Sequence, residues 1–136
     1  MTLTIGRVAS VVKVSTDTLR YYEREGLIAP TSKSRGGYRL YDGDAVRRVR
    51  FIKQAQHCGF TLMEIRDLLT LRASNAACCR DVRRIALEKK LQLAAKVKAM
   101  RGMSKALDRL IAACSGGSRP LDDCPILAAF EKGQGR

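Results

Sequence analysis

The sequence predicts a mainly α-helical chain made of a winged helix-turn-helix domain, a long coiled-coil helix and a short C-terminal loop with a helix. Three observations favour this fold class. Two short amphipathic segments open the chain, a glycine turn and an alternating "YRLY" segment follow them, and no proline occurs between Arg80 and Ala113. We expect the three parts at residues 1–75, 76–113 and 114–136.

The composition favours a nucleic-acid partner over a membrane. The 136 residues suffice for one domain with an extension, and 26 Lys and Arg against 13 Asp and Glu give a formal charge of +13. Such an excess is typical of proteins that bind a polyanion, usually nucleic acid. Neither a signal peptide nor a run of about 20 apolar residues occurs, so we expect a cytoplasmic protein with no membrane partner.

The first two predicted helices have the spacing of a helix-turn-helix. Ser15 or Thr16 is expected to cap the second helix, and Gly26 is expected to end it. Each helix has one apolar face that turns inward. The inward residues are Ile5, Val8, Ala9 and Val12 on the first helix and Leu19 and Tyr22 on the second, with Tyr21 as a further candidate.

A wing and a second pair of helices follow. The "RGG" turn and "YRLY" predict the wing, and Asp42 or Asp44 is expected to begin a third helix. Thr61 and Glu64 form a capping box at the start of a fourth helix, and "ASNAACC" predicts a linker. The third helix turns Val46, Val49, Ile52 and Ala55 inward; we expect Cys58 in the core at the end of this face, and His57 in the surface or core rather than in a metal site.

The long helix, from about Arg80 to Ala113, carries an apolar stripe. Its apolar residues alternate at spacings of three and four over about four heptads, which is typical of a coiled-coil seam. Because a single helix cannot bury such a stripe alone, the sequence predicts a homodimer. The seam residues are Leu93, Val97, Met100, Leu107 and Ile111, extended by Ala86 and Cys114 and interrupted by Lys90 and Ser104.

Polar and cationic residues on the second helix, the wing and the third helix predict a face that binds DNA. Arg and Tyr side chains reach phosphates, hydroxyl groups reach phosphates or base edges, and glycine lets two backbones approach closely. Any one arginine alone is better explained as a solvated charge, but the combination is not. The predicted DNA-binding residues are Ser15, Thr16, Thr18, Arg20, Tyr21, Arg24, Arg35, Gly37, Tyr38, Arg39, Arg47 and Lys53.

These segments resemble the MerR-type bacterial transcription regulators. The matching stretches are "IGRVA", "TLRYYEREGLI", "RGGYRLY" and "VRFIKQAQHCGFTLMEIRDLL", and the likeness continues through the long helix. The resemblance implies a winged helix-turn-helix domain joined to an antiparallel dimerisation helix. It also implies a role at promoters, where family members distort the DNA for RNA polymerase when an inducer binds.

Cysteines mark both ends of the long helix. Cys79 precedes it and Cys114 ends it, and about 35 residues at 1.5 Å each span roughly 50 Å. One chain therefore cannot join these ends, whereas an antiparallel dimer places Cys79 of one subunit beside Cys114 and Cys124 of the other. A Cys114–Cys124 disulfide and reversible thiol oxidation are the alternatives, the second corresponding to a thiol-redox-responsive regulator without metal.

The resemblance favours a metal site over these alternatives. In metal-sensing members of the family, one cysteine precedes the dimerisation helix and two flank a C-terminal loop. The matching residues are Cys79, Cys114 and Cys124, and Cys78 is an additional candidate. The expected function is activation of a metal resistance or efflux operon, and no catalytic residues are predicted.

The number of predicted thiolate ligands indicates which metal ions the site should prefer. Three thiolates suit Hg(II) or Pb(II), whereas Zn(II) and Cd(II) usually require a fourth ligand. Ser115 and Arg119 stand around the positions where zinc sensors of the family carry additional ligands. The expected cofactor is a soft divalent metal ion, in the order Hg(II), then Pb(II) or Cd(II), then Zn(II), with no organic cofactor.

Overall fold

The computed structural model describes residues 2–133 and is mainly helical, as predicted. The chain forms two compact units, Met1–Ala86 and Leu87–Arg136, which divide within one long helix. No helix within residues 2–133 is both long and apolar enough to cross a bilayer. The elements in chain order are β1 (Leu3–Thr4), α1 (Ile5–Val12), α2 (Thr16–Arg24), β2 (Ser32–Lys33), β3 (Arg39–Tyr41), α3 (Gly43–His57), α4 (Leu62–Ala73), α5 (Cys79–Ala113), a 3₁₀ turn (Leu121–Asp123) and α6 (Pro125–Glu131).

Helices α1 and α2 form the predicted helix-turn-helix. The Ser15 hydroxyl accepts from the Thr18 N–H, so Ser15, rather than Thr16, caps α2. Leu19 and Tyr22 are buried as expected, but the suggestion that Tyr21 faces inward is wrong, since it is 42% exposed. At about 100° per residue, Tyr21 lies about 200° from Leu19 around the helix and so points outward.

A three-stranded antiparallel sheet in the order β1-β3-β2 builds the wing. The chain reverses between β2 and β3 through a turn closed by the Gly37 N–H on the Ser34 carbonyl, with Gly37 at φ 82°. This left-handed residue after the turn is typical of a three-residue hairpin loop and favours glycine. Strand β1 was not predicted, because two residues are too short to show an alternating pattern.

Helices α3 and α4 complete the core of the first unit. Asp42 caps α3, and Thr61 and Glu64 form the predicted capping box on α4. The prediction that Cys58 is buried is wrong, because its thiol is exposed. Cys58 comes nine residues after the buried Val49, which places it about 180° around the helix from the core face.

Helix α5 is continuous over 35 residues, and its apolar stripe is exposed in the single chain. The exposed fractions are 38% for Leu93, 46% for Val97, 65% for Met100, 50% for Leu107 and 62% for Ile111. Helix α6 extends to Glu131, into the C-terminal tail that follows Phe130. Residues 134–136 of that tail lie outside the described residues.

Tyr41, on strand β3 of the wing, is buried in the core of the first unit. It is 1% exposed, and its hydroxyl donates to Glu23 Oε1 at 2.7 Å. Burial, and then the hydrogen bond to Glu23, raise the pKa of Tyr41 from 10.0 to about 12. At a pH between these two pKa values, the unfolded chain loses the phenolic proton of Tyr41 while the folded chain keeps it. The stabilisation that results from the raised pKa is therefore fully present below about pH 10 and declines as the pH rises.

The Tyr41→Phe variant tests this alkaline contribution. The variant is expected to be less stable than the wild type at pH 8, because it leaves one Glu23 oxygen without its hydroxyl donor. From about pH 9 to about pH 11 the difference should shrink by about 1 kcal/mol, because phenylalanine has no proton to lose. Urea unfolding of both proteins across this range measures the difference, and a constant difference would contradict the assignment.

Candidate DNA interface and metal site

The outer face of α2 carries two arginines and a tyrosine. Arg20, Tyr21 and Arg24 are exposed. Arg24 lies over the Tyr21 ring at 5.8 Å from its centroid, which orients both side chains outward. Arg20 Nη1 lies 3.4 Å from Asp17 Oδ1 in a solvent-exposed pair, an interaction weak enough for a phosphate to replace.

The hydroxyl groups at the start of α2 are partly committed to the helix itself. Ser15 Oγ accepts from the Thr18 N–H at 3.0 Å and lies 2.8 Å from Thr18 Oγ1. Thr16 and Thr18 are half-buried, whereas Ser15 is exposed. These three predicted residues therefore lie at the first turn of α2, where the cap engages Ser15 and Thr18.

The wing presents an exposed cationic and aromatic tip. Tyr38 is 72% exposed, and Arg35, Gly37 and Arg39 are also exposed. Arg39 pairs through Nη1 with Glu23 Oε2. This contact between the wing and α2 was not revealed by sequence patterns. The other N–H groups of the guanidinium remain available to an anion.

The two predicted residues on α3 have different surroundings. Arg47 is exposed and paired with Asp44 in the first turn of α3. The Lys53 ammonium donates to the carbonyl oxygens of Val12 at 2.9 Å and Lys13 at 3.3 Å. Lys53 therefore holds the turn between α1 and α2, where Lys13 adopts φ 64°, and this contact explains its placement without DNA.

Cys114 and Cys124 come together in the second unit. Cys114 follows α5, and Gly116 and Gly117, at φ 78° and 84°, reverse the chain. Both thiols are half-buried and free, and the Cys114 side chain lies close enough to Cys124 to lower the pKa of the Cys124 thiol. The loop of two glycines and a proline thus produces a pair of thiol groups rather than a disulfide.

The surroundings of Cys124 favour its thiolate. The backbone N–H of Leu127, at the start of α6, lowers the pKa of the Cys124 thiol. The N–H of Ile126, the Cys114 thiol and the positive charge of Arg119 act in the same direction, against partial burial. Thiolates rather than thiols bind metal ions, so this arrangement favours the form of Cys124 that a metal ion would bind.

Cys78 and Cys79 lie at the other end of α5, in the first unit. Both thiols are exposed, and the Cys78 backbone N–H donates to Asp81 Oδ2 at 2.9 Å. Within residues 2–133 of one chain, no group of three or more Cys, His, Asp or Glu side chains is placed to hold a metal ion. The structure therefore joins two of the three predicted thiol ligands, Cys114 and Cys124, but not all three.

The comparisons with known proteins agree on one family. Residues 3–71 match the family model described as MerR HTH family regulatory protein, and residues 46–110 match the model described as MerR, DNA binding. The chain is 37% identical to the HTH-type transcriptional regulator HmrR of Sinorhizobium medicae, over 98% of this chain and 89% of that protein.

Other relatives are similar over nearly their whole length. The chain is 34% identical to the HTH-type transcriptional regulator ZntR of Escherichia coli, over 95% of this chain and 92% of that one. It is 35% identical to a mercuric resistance operon regulatory protein of Pseudomonas fluorescens, over 96% and 89%. Among solved structures, the transcription regulator PbrR691 of Ralstonia metallidurans CH34 in complex with lead(II) is 31% identical, with a TM-score of 0.79 over 94% of this chain and 98% of that one.

These relatives are transcriptional regulators rather than enzymes. The helix-turn-helix and the wing fall within the matched ranges, which also cover the long helix as far as residue 110. The chain therefore belongs to the MerR family of DNA-binding helix-turn-helix transcriptional regulators.

Proposed function

We propose that this regulator binds promoter DNA as a homodimer and activates a metal resistance or efflux operon when a soft divalent metal ion binds its thiolates. The observation that carries the proposal is the pair of free, half-buried thiols at Cys114 and Cys124, which lie close enough for Cys114 to lower the pKa of the Cys124 thiol. Two thiolates are one fewer than the predicted set of three, and Zn(II) or Cd(II) would need still more ligands, so a further ligand must come from elsewhere.

Dimerisation along α5 supplies that ligand. The exposed stripe from Leu93 to Ile111 requires a partner surface. An antiparallel partner helix of the same length brings the partner subunit's Cys79 to the end of α5 that carries Cys114. Each dimer then holds two sites, each with one thiolate from one subunit and two from the other.

The proposed three-thiolate set favours Hg(II), followed by Pb(II). The relatives support both, because one is named for mercuric resistance and the solved PbrR691 structure contains lead(II). Arg119, whose positive charge acts on Cys124, has no free electron pair to offer a metal ion and so supplies no fourth ligand. Cys78 beside Cys79 is the candidate fourth thiolate that Cd(II) or Zn(II) would need.

The proposed switch acts through DNA shape. A dimer with two DNA-binding units requires the duplex between its half-sites to bend or twist, at a cost of about 1–6 kcal/mol. A metal ion that links the two subunits changes the preferred arrangement, and a coupling of about 1–3 kcal/mol is sufficient for a strong transcriptional response. RNA polymerase, bound at the same promoter, is the partner that responds to this change in DNA shape.

Native mass spectrometry of the reduced protein, with Hg(II), Pb(II), Cd(II) and Zn(II) in competition, tests the proposal. The expected result is tight binding of two metal ions per dimer, with Hg(II) retained in preference to the others. The two neighbouring thiols also favour a second candidate, a thiol-redox regulator. If no metal binds tightly while peroxide changes the affinity for DNA, the metal proposal is wrong and the redox candidate replaces it.

Arg20 is proposed to contact the DNA directly. Arg20→Ala is expected to weaken operator binding about tenfold with or without metal, because it removes an exposed cation from the outer face of α2. The slope of log Kd against log salt should decrease by about one if the contact is to a phosphate. Arg101→Ala, which removes an exposed arginine from α5, is the matched control, and equal effects of the two variants would contradict the role of Arg20.

A further inference from the structure

One acidic side chain on α2, that of Glu23, contacts the wing through both of its carboxylate oxygens. Glu23 Oε2 accepts from Arg39 Nη1, and Glu23 Oε1 accepts from the Tyr41 hydroxyl at 2.7 Å. The Glu23 side chain is 15% exposed, whereas the other acid with an ion pair on α2, Asp17, is 92% exposed. Glu23 is therefore held in place in a way that Asp17 is not.

The two partners of Glu23 lie on one face of β3. Arg39 and Tyr41 are two positions apart in the strand, so their side chains project to the same side of the sheet. Tyr41 is 1% exposed and fixes the inner end of this face in the core, while the exposed Arg39 lies nearer the tip of the wing. Glu23 thus joins α2 to a buried anchor and to a cation that can face DNA.

The end of α2 is also fixed to the two following helices. Arg66 of α4 donates to the carbonyl oxygen of Glu25, and Arg48 of α3 donates to that of Leu27. The Tyr22 hydroxyl donates to Gln56 Oε1 on α3. Because these bonds hold α2 in place, Glu23 can fix the position of the wing relative to the rest of the first unit.

We propose that Glu23 is a positioning residue for DNA recognition: it fixes the wing relative to α2 and holds the Arg39 guanidinium in the orientation that contacts a phosphate. The proposal rests on the DNA-binding role of the family and does not depend on the metal. Charge-assisted hydrogen bonds such as these are strong and directional, which suits an orienting role. Strand β3 has only three residues, so its ladder alone restrains the wing weakly.

The opposite role for Glu23 predicts a different result. If the carboxylate merely neutralised Arg39, its removal would release a cation and DNA binding would become tighter, with a steeper dependence on salt. If Glu23 positions Arg39, its removal loses an ordered phosphate contact. Binding then becomes weaker and the dependence on salt becomes shallower.

The test uses the full-length chain and a DNA duplex selected by the wild-type protein from a random pool. Glu23→Gln is expected to bind this duplex about tenfold more weakly, with a salt slope smaller by about one. Hydroxyl-radical protection should decrease at the positions that Arg39→Gln also exposes. Glu25→Gln makes the same charge change two residues away, where the contact with Arg66 uses the backbone carbonyl rather than the side chain, and it should bind DNA like the wild type.

A double-mutant cycle separates positioning from a loss of folding. In an Arg39→Gln background, Glu23→Gln should have no further effect on DNA affinity, because Glu23 acts through Arg39. Thermal unfolding of each variant shows whether it remains folded, and Tyr41→Phe, which keeps the Glu23–Arg39 pair, serves if Glu23→Gln does not fold. Tighter binding by Glu23→Gln, unchanged affinity, or weakening that persists without Arg39 would each overturn the proposal. So would a folded Tyr41→Phe variant that loses hydroxyl-radical protection at the positions that Arg39→Gln exposes, because this variant keeps the Glu23–Arg39 pair.

Discussion

Replacing Cys79, Cys114 or Cys124 with serine is expected to abolish metal-induced transcription while leaving the DNA affinity of the metal-free protein within about twofold of the wild type. Serine preserves the size of the side chain but removes the thiolate, and a soft metal has little affinity for a neutral hydroxyl. Each of the three thiols supplies a third of the proposed ligand set, so loss of any one should be severe. A promoter fusion with and without Hg(II) measures induction, and gel shifts measure DNA binding.

Cys58→Ser is the matched control for these variants. Cys58 is an exposed free thiol in the first unit, and the proposed site does not use it. Induction should therefore be normal in this variant. Retained induction in Cys79→Ser, Cys114→Ser or Cys124→Ser would remove that residue from the site, whereas a loss in Cys58→Ser would show that thiol loss acts by another route.

Crossed heterodimers test whether the site is shared between subunits. A dimer of one Cys79→Ser chain and one Cys114→Ser chain keeps one complete shared site, so it should bind one metal ion. A dimer of one wild-type chain and one Cys79→Ser/Cys114→Ser chain should bind none. If each site lay within a single chain, these two stoichiometries would be exchanged, so the pair of measurements decides between the arrangements.

Local signals made much of the fold predictable. Helix caps depend on a few neighbouring residues, and Asp42 and the Thr61–Glu64 box were recognised because their side chains bond to backbone groups three residues away. The absence of proline and the regular apolar spacing predicted α5 to within one residue of its start. The burial of Cys58 was mispredicted because the apolar face of α3 ends before that residue.

Contacts between residues distant in sequence were not predictable. Lys53 bonds to carbonyl groups about 40 positions earlier, and Glu23 contacts a strand 16 and 18 residues later. Periodicity gives the face on which a side chain lies, but it does not give the element that packs there. At the proposed metal site, the reversal between Cys114 and Cys124 follows from a short glycine-rich loop. The proposed third ligand would come from a second subunit, and the sequence pattern of one chain indicates only that a partner is needed.

The dimer seam provides the second large expected effect. Val97 is 46% exposed on α5 and lies one residue from the middle of this helix. In an antiparallel pair with full overlap, the two copies of Val97 lie near the two-fold axis. Val97→Asp would remove two apolar side chains, worth about 1.5–3 kcal/mol each when buried, and place two carboxylates close together. The dimer should therefore weaken by a factor of at least 100.

DNA binding should weaken with the dimer, because binding of the second half-site gains from its attachment to the first. Ala95→Asp is the matched control, since Ala95 is exposed and lies about 200° around α5 from Val97. It adds the same charge on the opposite side of the helix. Analytical ultracentrifugation at micromolar concentration should find Val97→Asp monomeric and Ala95→Asp dimeric. If both variants remained dimers with normal affinity for DNA, the seam would lie elsewhere, and the shared site that depends on it would lose its geometric basis.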